Sequence, residues 1–155
     1  MNFDELATPL FGALYNYARW LTRDPYEAED LVQETYVKAL RGFGSFTAGT
    51  NFRAWMYRIL RNTFLTSKTG LKENVPLDED LAAVGDPETL FLSRVDAEAL
   101  RRAIESLPLI FREVLLLCDM EEMSYREIAE TLGIPVGTVT SRLLRARRKV
   151  REALR

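Results

Sequence analysis

The stretch VGTVTSRLLRARRKV, residues 136–150, carries Arg142, Arg145, Arg147, Arg148 and Lys149 and no acid. Thr138, Thr140 and Ser141 add hydroxyls. Such a set suits recognition and not bond breaking. Cations neutralise phosphates, and an arginine fork grips a guanine edge with about 1–3 kcal/mol of discrimination. Stepping 100° per residue from Val136 gathers Val139, Leu143, Ala146 and Val150 into one arc of about 60°, with Val136 beside it, which is the pattern of a buried stripe. Thr138, Ser141, Arg145, Arg148 and Lys149 fall opposite. Leu144 is an apolar residue on the exposed side, able to meet a thymine methyl or a partner. A solvated helix end whose cations complement its dipole is the plain alternative. The capped helix before it and the Gly133-Ile134-Pro135 break favour a helix-turn-helix that binds DNA.

A second basic set lies at 52–64. Phe52, Trp55, Met56, Ile59 and Leu60 share one side of the projected helix, the expected core. Arg53, Ala54, Tyr57, Arg58 and Arg61 share the other. Phe43 and Phe46 stand in the loop before it, and Lys38 and Arg41 just ahead of that loop. Cations that track a backbone, with rings that stack on unpaired bases, suit single-stranded nucleic acid better than duplex. Core packing remains open for the rings and a solvated face for the arginines.

Enzyme chemistry has little to work with. There is no histidine and a single cysteine, Cys118. That removes the commonest general base and zinc ligand, and any internal disulfide. Glu27, Glu29, Asp30 and Glu34 are close together, but at helix-surface spacing beside a cap, so they are read as an interaction face and not as a metal site. No cofactor and no catalytic residue is expected. The start, MNFDELATPLF, lacks a basic segment followed by an apolar core, and no apolar run approaches ~18 residues. No membrane contact by this chain itself is expected, and the cytoplasm is the expected location.

The net charge of -2 hides a pattern. Residues 1–35 sum to -5, 36–72 to +7, 73–100 to -7, 101–135 to -3 and 136–155 to +6. Two basic blocks flank an acidic middle, so local fields, not total charge, choose the partners.

Helical signals recur to position these groups. Asp24-Pro25-Tyr26-Glu27 is a start signal with a possible capping box, opening a helix to about Leu40. Residues 41–51 read as a loop with three glycines. Asn51 caps a helix to about Thr66. Residues 67–85, polar and without a sustained period, read as linker. Asp86-Pro87-Glu88 restarts a helix to about Ser106, and Pro108 opens another to about Asp119. Ser124 and Glu127 form a second capping box, Gly133-Ile134-Pro135 ends that helix, and a last helix begins at Val136. The expected fold is all-α: two small helical domains, 1–68 and 94–155, joined by an acidic linker at 69–93.

DPYEAEDLVQETYVKAL, FRAWMYRILRN and LPLIFREVLLLCDMEEMSYREIAETLGIPVGTVTSRLLRARRKV together resemble the extracytoplasmic-function (ECF) group of bacterial sigma factors, in the sigma-70 family. The resemblance covers nearly the whole chain outside the linker. It implies sigma region 2 at 1–68, sigma region 4 at 94–155, and a transcription initiation factor that is not an enzyme. Within the run Glu29–Thr35 it implies docking to core RNA polymerase by Glu29, Asp30, Leu31, Gln33 and Glu34. It implies capture of the single-stranded −10 element by Phe43, Phe46, Arg53, Tyr57, Arg58, Arg61 and Asn62. It implies reading of the duplex −35 element by Thr140, Ser141, Leu144 and Arg145, beside Thr138, with Arg142, Arg147 and Arg148 on phosphates or packing. An anti-sigma factor is a further expected partner. Thr140 stands where many members carry a basic side chain, and Glu122 where many carry glycine.

A regulator that binds duplex DNA through its last two helices, with an N-terminal unit for dimerisation or sensing, is the alternative. It has no reason to carry the N-terminal motifs.

Overall fold

The computed structural model describes residues 2–73 and 96–155. The chain divides into two compact units, each helical, with no strand among the described residues. The expected restart at Asp86-Pro87-Glu88 and most of the linker fall outside the described residues.

The N-terminal unit opens with α1, Phe3–Ala7, capped by Asn2, whose side chain accepts from Glu5 N. A 3-10 turn, Thr8–Leu10, leads into α2, Phe11–Thr22. Sequence reasoning assigned no element before Asp24. Next come α3, Pro25–Gly42, and α4, Phe52–Leu65. Both expected caps are present: the Asp24 carboxylate accepts from Tyr26 N and the Asn51 side chain from Ala54 N. The three longer helices pack on one another. Leu14, Tyr17, Ala18 and Leu21 of α2 meet Ala28, Leu31, Val32 and Ala39 of α3 and Met56, Leu60 and Phe64 of α4 in one buried core. Spacings of three and four residues on each helix produce these stripes.

Residues 68–73, expected as linker, form a further helix, α5, Lys68–Glu73. Ser67 caps it, its hydroxyl accepting from Gly70 N at 3.1 Å. A Cβ on Gly70 would lie 1.8 Å from the Phe64 carbonyl oxygen, so only glycine permits this corner. Two side-chain pairs join α5 to the α2–α3 corner: Thr69 Oγ1 donates to Glu27 Oε2 at 2.9 Å, and Arg23 pairs with Glu73.

The C-terminal unit holds α6, Ala97–Glu105, and α7, Leu109–Leu115, continued by a π turn, Leu116–Met120. Then come α8, Tyr125–Leu132, and α9, Val136–Ala153. Ala103, Leu107, Phe111, Leu115, Ala146 and Val150 form its core, with Leu100, Ile104, Ile110 and Leu154 against it. Arg112 is 1% exposed and donates through Nη1 to Leu107 O at 2.9 Å and Glu105 O at 3.4 Å. It thereby satisfies carbonyls left open where α6 ends.

Ser124 Oγ accepts from Glu127 N at 3.1 Å, one half of the expected capping box. Gly133 closes α8 at φ 68, the left-handed conformation glycine adopts without penalty. Glu122 sits at φ 54, although it carries a side chain. That conformation costs a non-glycine residue about 1–2 kcal/mol, part of which glycine returns through its freer unfolded chain. Glu122→Gly is therefore expected to raise stability by about 0.5–1 kcal/mol. The check is the urea-unfolding midpoint; an equal or lower midpoint means that this turn stores no strain.

Candidate nucleic-acid and protein interfaces

The helix α3 has two faces. Ala28, Leu31, Val32, Thr35 and Ala39 are buried, while Glu29, Asp30, Gln33 and Glu34 are exposed. The Thr35 hydroxyl is satisfied within the helix by donating to Leu31 O at 2.7 Å. Leu31, expected on the docking face, is 6% exposed and belongs to the buried stripe, yet it also lines the groove beside Glu27, Asp30 and Glu34. On the outer face Gln33 Nε2 approaches Glu29 Oε1 at 3.5 Å, and Glu34 pairs with Lys38 at 3.5 Å. Glu27, Asp30 and Glu34 line a shallow groove of about 200 Å³ with Thr63, Lys68 and Thr69. The groove offers carboxylates and hydroxyls to a cationic or hydrogen-bonding partner.

The loop after α3 is built on aromatic rings. Phe43 and Phe46 stack at 6.0 Å with 12° between planes. Phe46 meets Phe52 edge-on at 5.2 Å and tilts against Trp55 at 5.2 Å. Phe43, Phe46, Phe52 and Trp55 are all half-buried. Phe3 touches Phe43 at 5.4 Å and Phe52 at 6.3 Å, and Tyr36 lies at 6.4 Å from Phe3. The Tyr36 hydroxyl donates to Ala7 O at 2.7 Å. Burial pushes its pKa up to about 12, so it remains a donor at physiological pH. Sequence reasoning singled out neither Phe3 nor Tyr36. The helix around Phe3 is too short to show a period, and Tyr36 reads as one more residue in a long helix.

On α4 the core stripe lies about one residue-step round from its expected place. Ala54, Met56, Tyr57, Leu60, Thr63 and Phe64 are buried, whereas Phe52, Trp55 and Ile59 are half-buried. Tyr57, expected to project among the arginines, is 0% exposed and packs on Tyr17 with ring centroids 5.3 Å apart. The ring from α2 draws it inward, so it is withdrawn as a base-stacking residue. Arg53 and Arg61 are half-buried, while Arg58 and Asn62 are exposed.

On α9 the expected stripe of Val139, Leu143, Ala146 and Val150 is buried. Val136, placed beside it, is 46% exposed because it sits at the helix start. Thr138, Thr140, Ser141, Arg142, Leu144 and Arg148 are half-buried. Arg145, expected outward, is 9% exposed, and its Nη2 has no hydrogen-bond partner among the described residues. Arg147 turns to its own unit: Nη2 donates to Asp119 Oδ1 at 3.0 Å and lies 3.8 Å from Cys118 Sγ. Burial, then the Asp119 charge, pushes the Cys118 thiol up, so it stays protonated. Lys149 Nζ sits 5.5 Å above the Phe111 ring.

A helical unit with an acidic helix face and a basic aromatic corner, followed in the chain by a helix-turn-helix unit, defines a class of two-part DNA-binding proteins. The family models for sigma-70 region 2 and sigma-70 region 4 match residues 6–72 and 97–150. The chain is 38% identical over 160 residues to the ECF RNA polymerase sigma factor SigE of Mycolicibacterium smegmatis, covering 99% of this chain and 62% of that protein. It is 35% identical over 137 residues to the ECF RNA polymerase sigma-E factor of Escherichia coli K12, covering 80% of this chain and 72% of that one. Among solved structures it is similar to the sigma factor RpoE from Bartonella quintana, in complex with the anti-sigma factor NepR. The TM-score is 0.74 and the identity 29%, over 97% of both chains. CnrH, in complex with the cytosolic domain of CnrY, gives 0.72 and 26%, over 98% of this chain and 86% of that one. The chain belongs to the ECF group of the sigma-70 family of RNA polymerase sigma factors.

Tyr57→Ala is expected to cost about 3–5 kcal/mol of stability, as for a buried aromatic. Asn62→Ala, at an exposed position, is expected to stay within about 0.5 kcal/mol. Chemical denaturation distinguishes them; a Tyr57→Ala protein of unchanged stability means that the ring serves a ligand and not the core.

Proposed function

We propose that this chain is a transcription initiation factor that binds core RNA polymerase and directs it to specific promoters. The observation that supports the reading best is the occurrence of both sigma regions, in order, in one chain. The work belongs in the cytoplasm, with polymerase and DNA, and the factor contributes no catalysis of its own. No helix among the described residues is long and apolar enough to cross a membrane.

The exposed face of α3, Glu29, Asp30, Gln33 and Glu34, docks to polymerase. Phe43 and Phe46, with Arg53, Arg58, Arg61 and Asn62, hold the single strand of the −10 element by stacking and charge. Thr138, Thr140, Ser141, Arg142, Leu144, Arg145 and Arg148 of α9 read and grip the −35 duplex. An anti-sigma factor is a further partner, and the Bartonella relative is in complex with one. The first proposed domain extends past 68 to take in α5, Lys68–Glu73, and the second keeps its bounds of 94–155.

The test is transcription in vitro from a pool of genomic fragments, with core polymerase and the purified protein, mapping RNA 5′ ends. Discrete starts with shared upstream elements, absent with core alone, are expected. No added initiation, with specific duplex binding by the protein alone, would instead point to a simple regulator. Asp30→Lys with Glu34→Lys is expected to weaken core binding by roughly tenfold or more through charge reversal at a docking face. Duplex −35 affinity should not change; an unchanged core affinity would remove α3 from the docking face.

A further inference from the structure

We propose that Phe3, braced by Tyr36, is a positioning residue for the loop that holds the single-stranded −10 element. This rests on the −10 reading given above. Loop hydrogen bonds such as Phe46 N to Phe43 O at 3.1 Å, Ser45 Oγ to Gly42 O at 2.7 Å and Thr50 N to Thr47 O at 3.2 Å each span three residues. They shape the turns but do not fix the loop against the helices. The rings do that. Phe43 stands at the start of the loop and Phe52 at its end, and Phe3 touches both edge-on. One side chain from outside the loop thus bridges its two ends.

Phe3 is itself held at both ends of α1. Asn2 caps the start by accepting from Glu5 N at 2.9 Å. At the other end Ala7 O receives the Tyr36 hydroxyl, and Tyr36 also lies beside Phe3 and, at 5.8 Å, beside Phe11. The chain of contacts runs from α3 through Tyr36 to α1, from Phe3 to both loop ends, and on to Phe46 and Trp55. Rings that must receive a base need their free edges fixed before the base arrives, because ordering them on binding subtracts from affinity. Phe3 supplies that order through Phe43 and Phe52, the two rings it touches at the ends of the loop.

The experiment uses holoenzyme and a fluorescent oligonucleotide carrying the non-template −10 strand of a promoter mapped as above, against a scrambled strand. Wild-type holoenzyme is expected to prefer the −10 strand. Phe3→Ala is expected to reduce that preference by roughly tenfold, as for loss of several ring contacts. Affinity for core polymerase and for the −35 duplex should stay unchanged. Phe3→Tyr, which keeps a ring, should restore most of the preference. Tyr36→Phe, which loses only the bond to Ala7, should give a smaller fall in the same direction. It also remains informative if Phe3→Ala fails to fold. Unaltered preference in both Phe3→Ala and Tyr36→Phe overturns the proposal, as does an equal loss of core, −35 and −10 binding, which marks a merely structural residue. A wild-type holoenzyme with no preference instead overturns the −10 reading, and this proposal with it.

Discussion

Burial of the Ala28, Leu31, Val32, Thr35 and Ala39 stripe against α2 and α4 is the interaction on which the N-terminal unit depends. Two of these residues are alanines, which let the neighbouring helices approach, while Leu31 and Val32 supply apolar area at about 1.5–3 kcal/mol each. Thr35 spends its hydroxyl on the helix backbone, so the stripe leaves no polar demand there. Once this face is fixed, Glu29, Asp30, Gln33 and Glu34 must point outward. Gly42 and Phe43 must then leave the bundle at the end of α3, where the aromatic corner gathers. The acidic face and the loop are thus set by one packed helix.

The C-terminal unit divides its cations differently from what a basic sequence block suggests. Arg147 is engaged with Asp119, Lys149 sits over Phe111, and Arg145 is buried. Arg112 holds the carbonyls where α6 ends. Several positive charges therefore organise the helix-turn-helix itself.

Caps and breaks were legible in the sequence because they are decided within four residues. Asp24, Asn51 and Ser124 cap as their spacing implies, and Gly133 takes the left-handed turn. The buried stripe of α9 was legible for the same reason that any long amphipathic helix is. What was lost depends on partners distant in sequence. Tyr57 turns inward because Tyr17 is there, forty residues away. Phe52 and Trp55 form a half-open corner and not a core because Phe46 and Phe3 come to meet them. The helices α1 and α5 hold five and six residues, too few for a period to declare itself. The corner at Gly70 is visible only once the Phe64 carbonyl is in place.

Charge order along α3 gives its two ends opposite character. Glu27, Glu29, Asp30 and Glu34 occupy its first turns, and Lys38 and Arg41 its last. Glu27 in the first turn and Arg41 in the last agree with the helix dipole. The Glu34–Lys38 pair, acid before base at i,i+4, lies at the crossover in the favourable orientation. With a screening length of about 8 Å at physiological salt, the two ends of an 18-residue helix, roughly 27 Å apart, act as separate fields. The acidic end repels polyanions, and the basic end leads directly into Phe43 and the aromatic corner, which under the proposed function offers an unpaired strand both charge and stacking. The net charge of -2 is therefore no guide to either end.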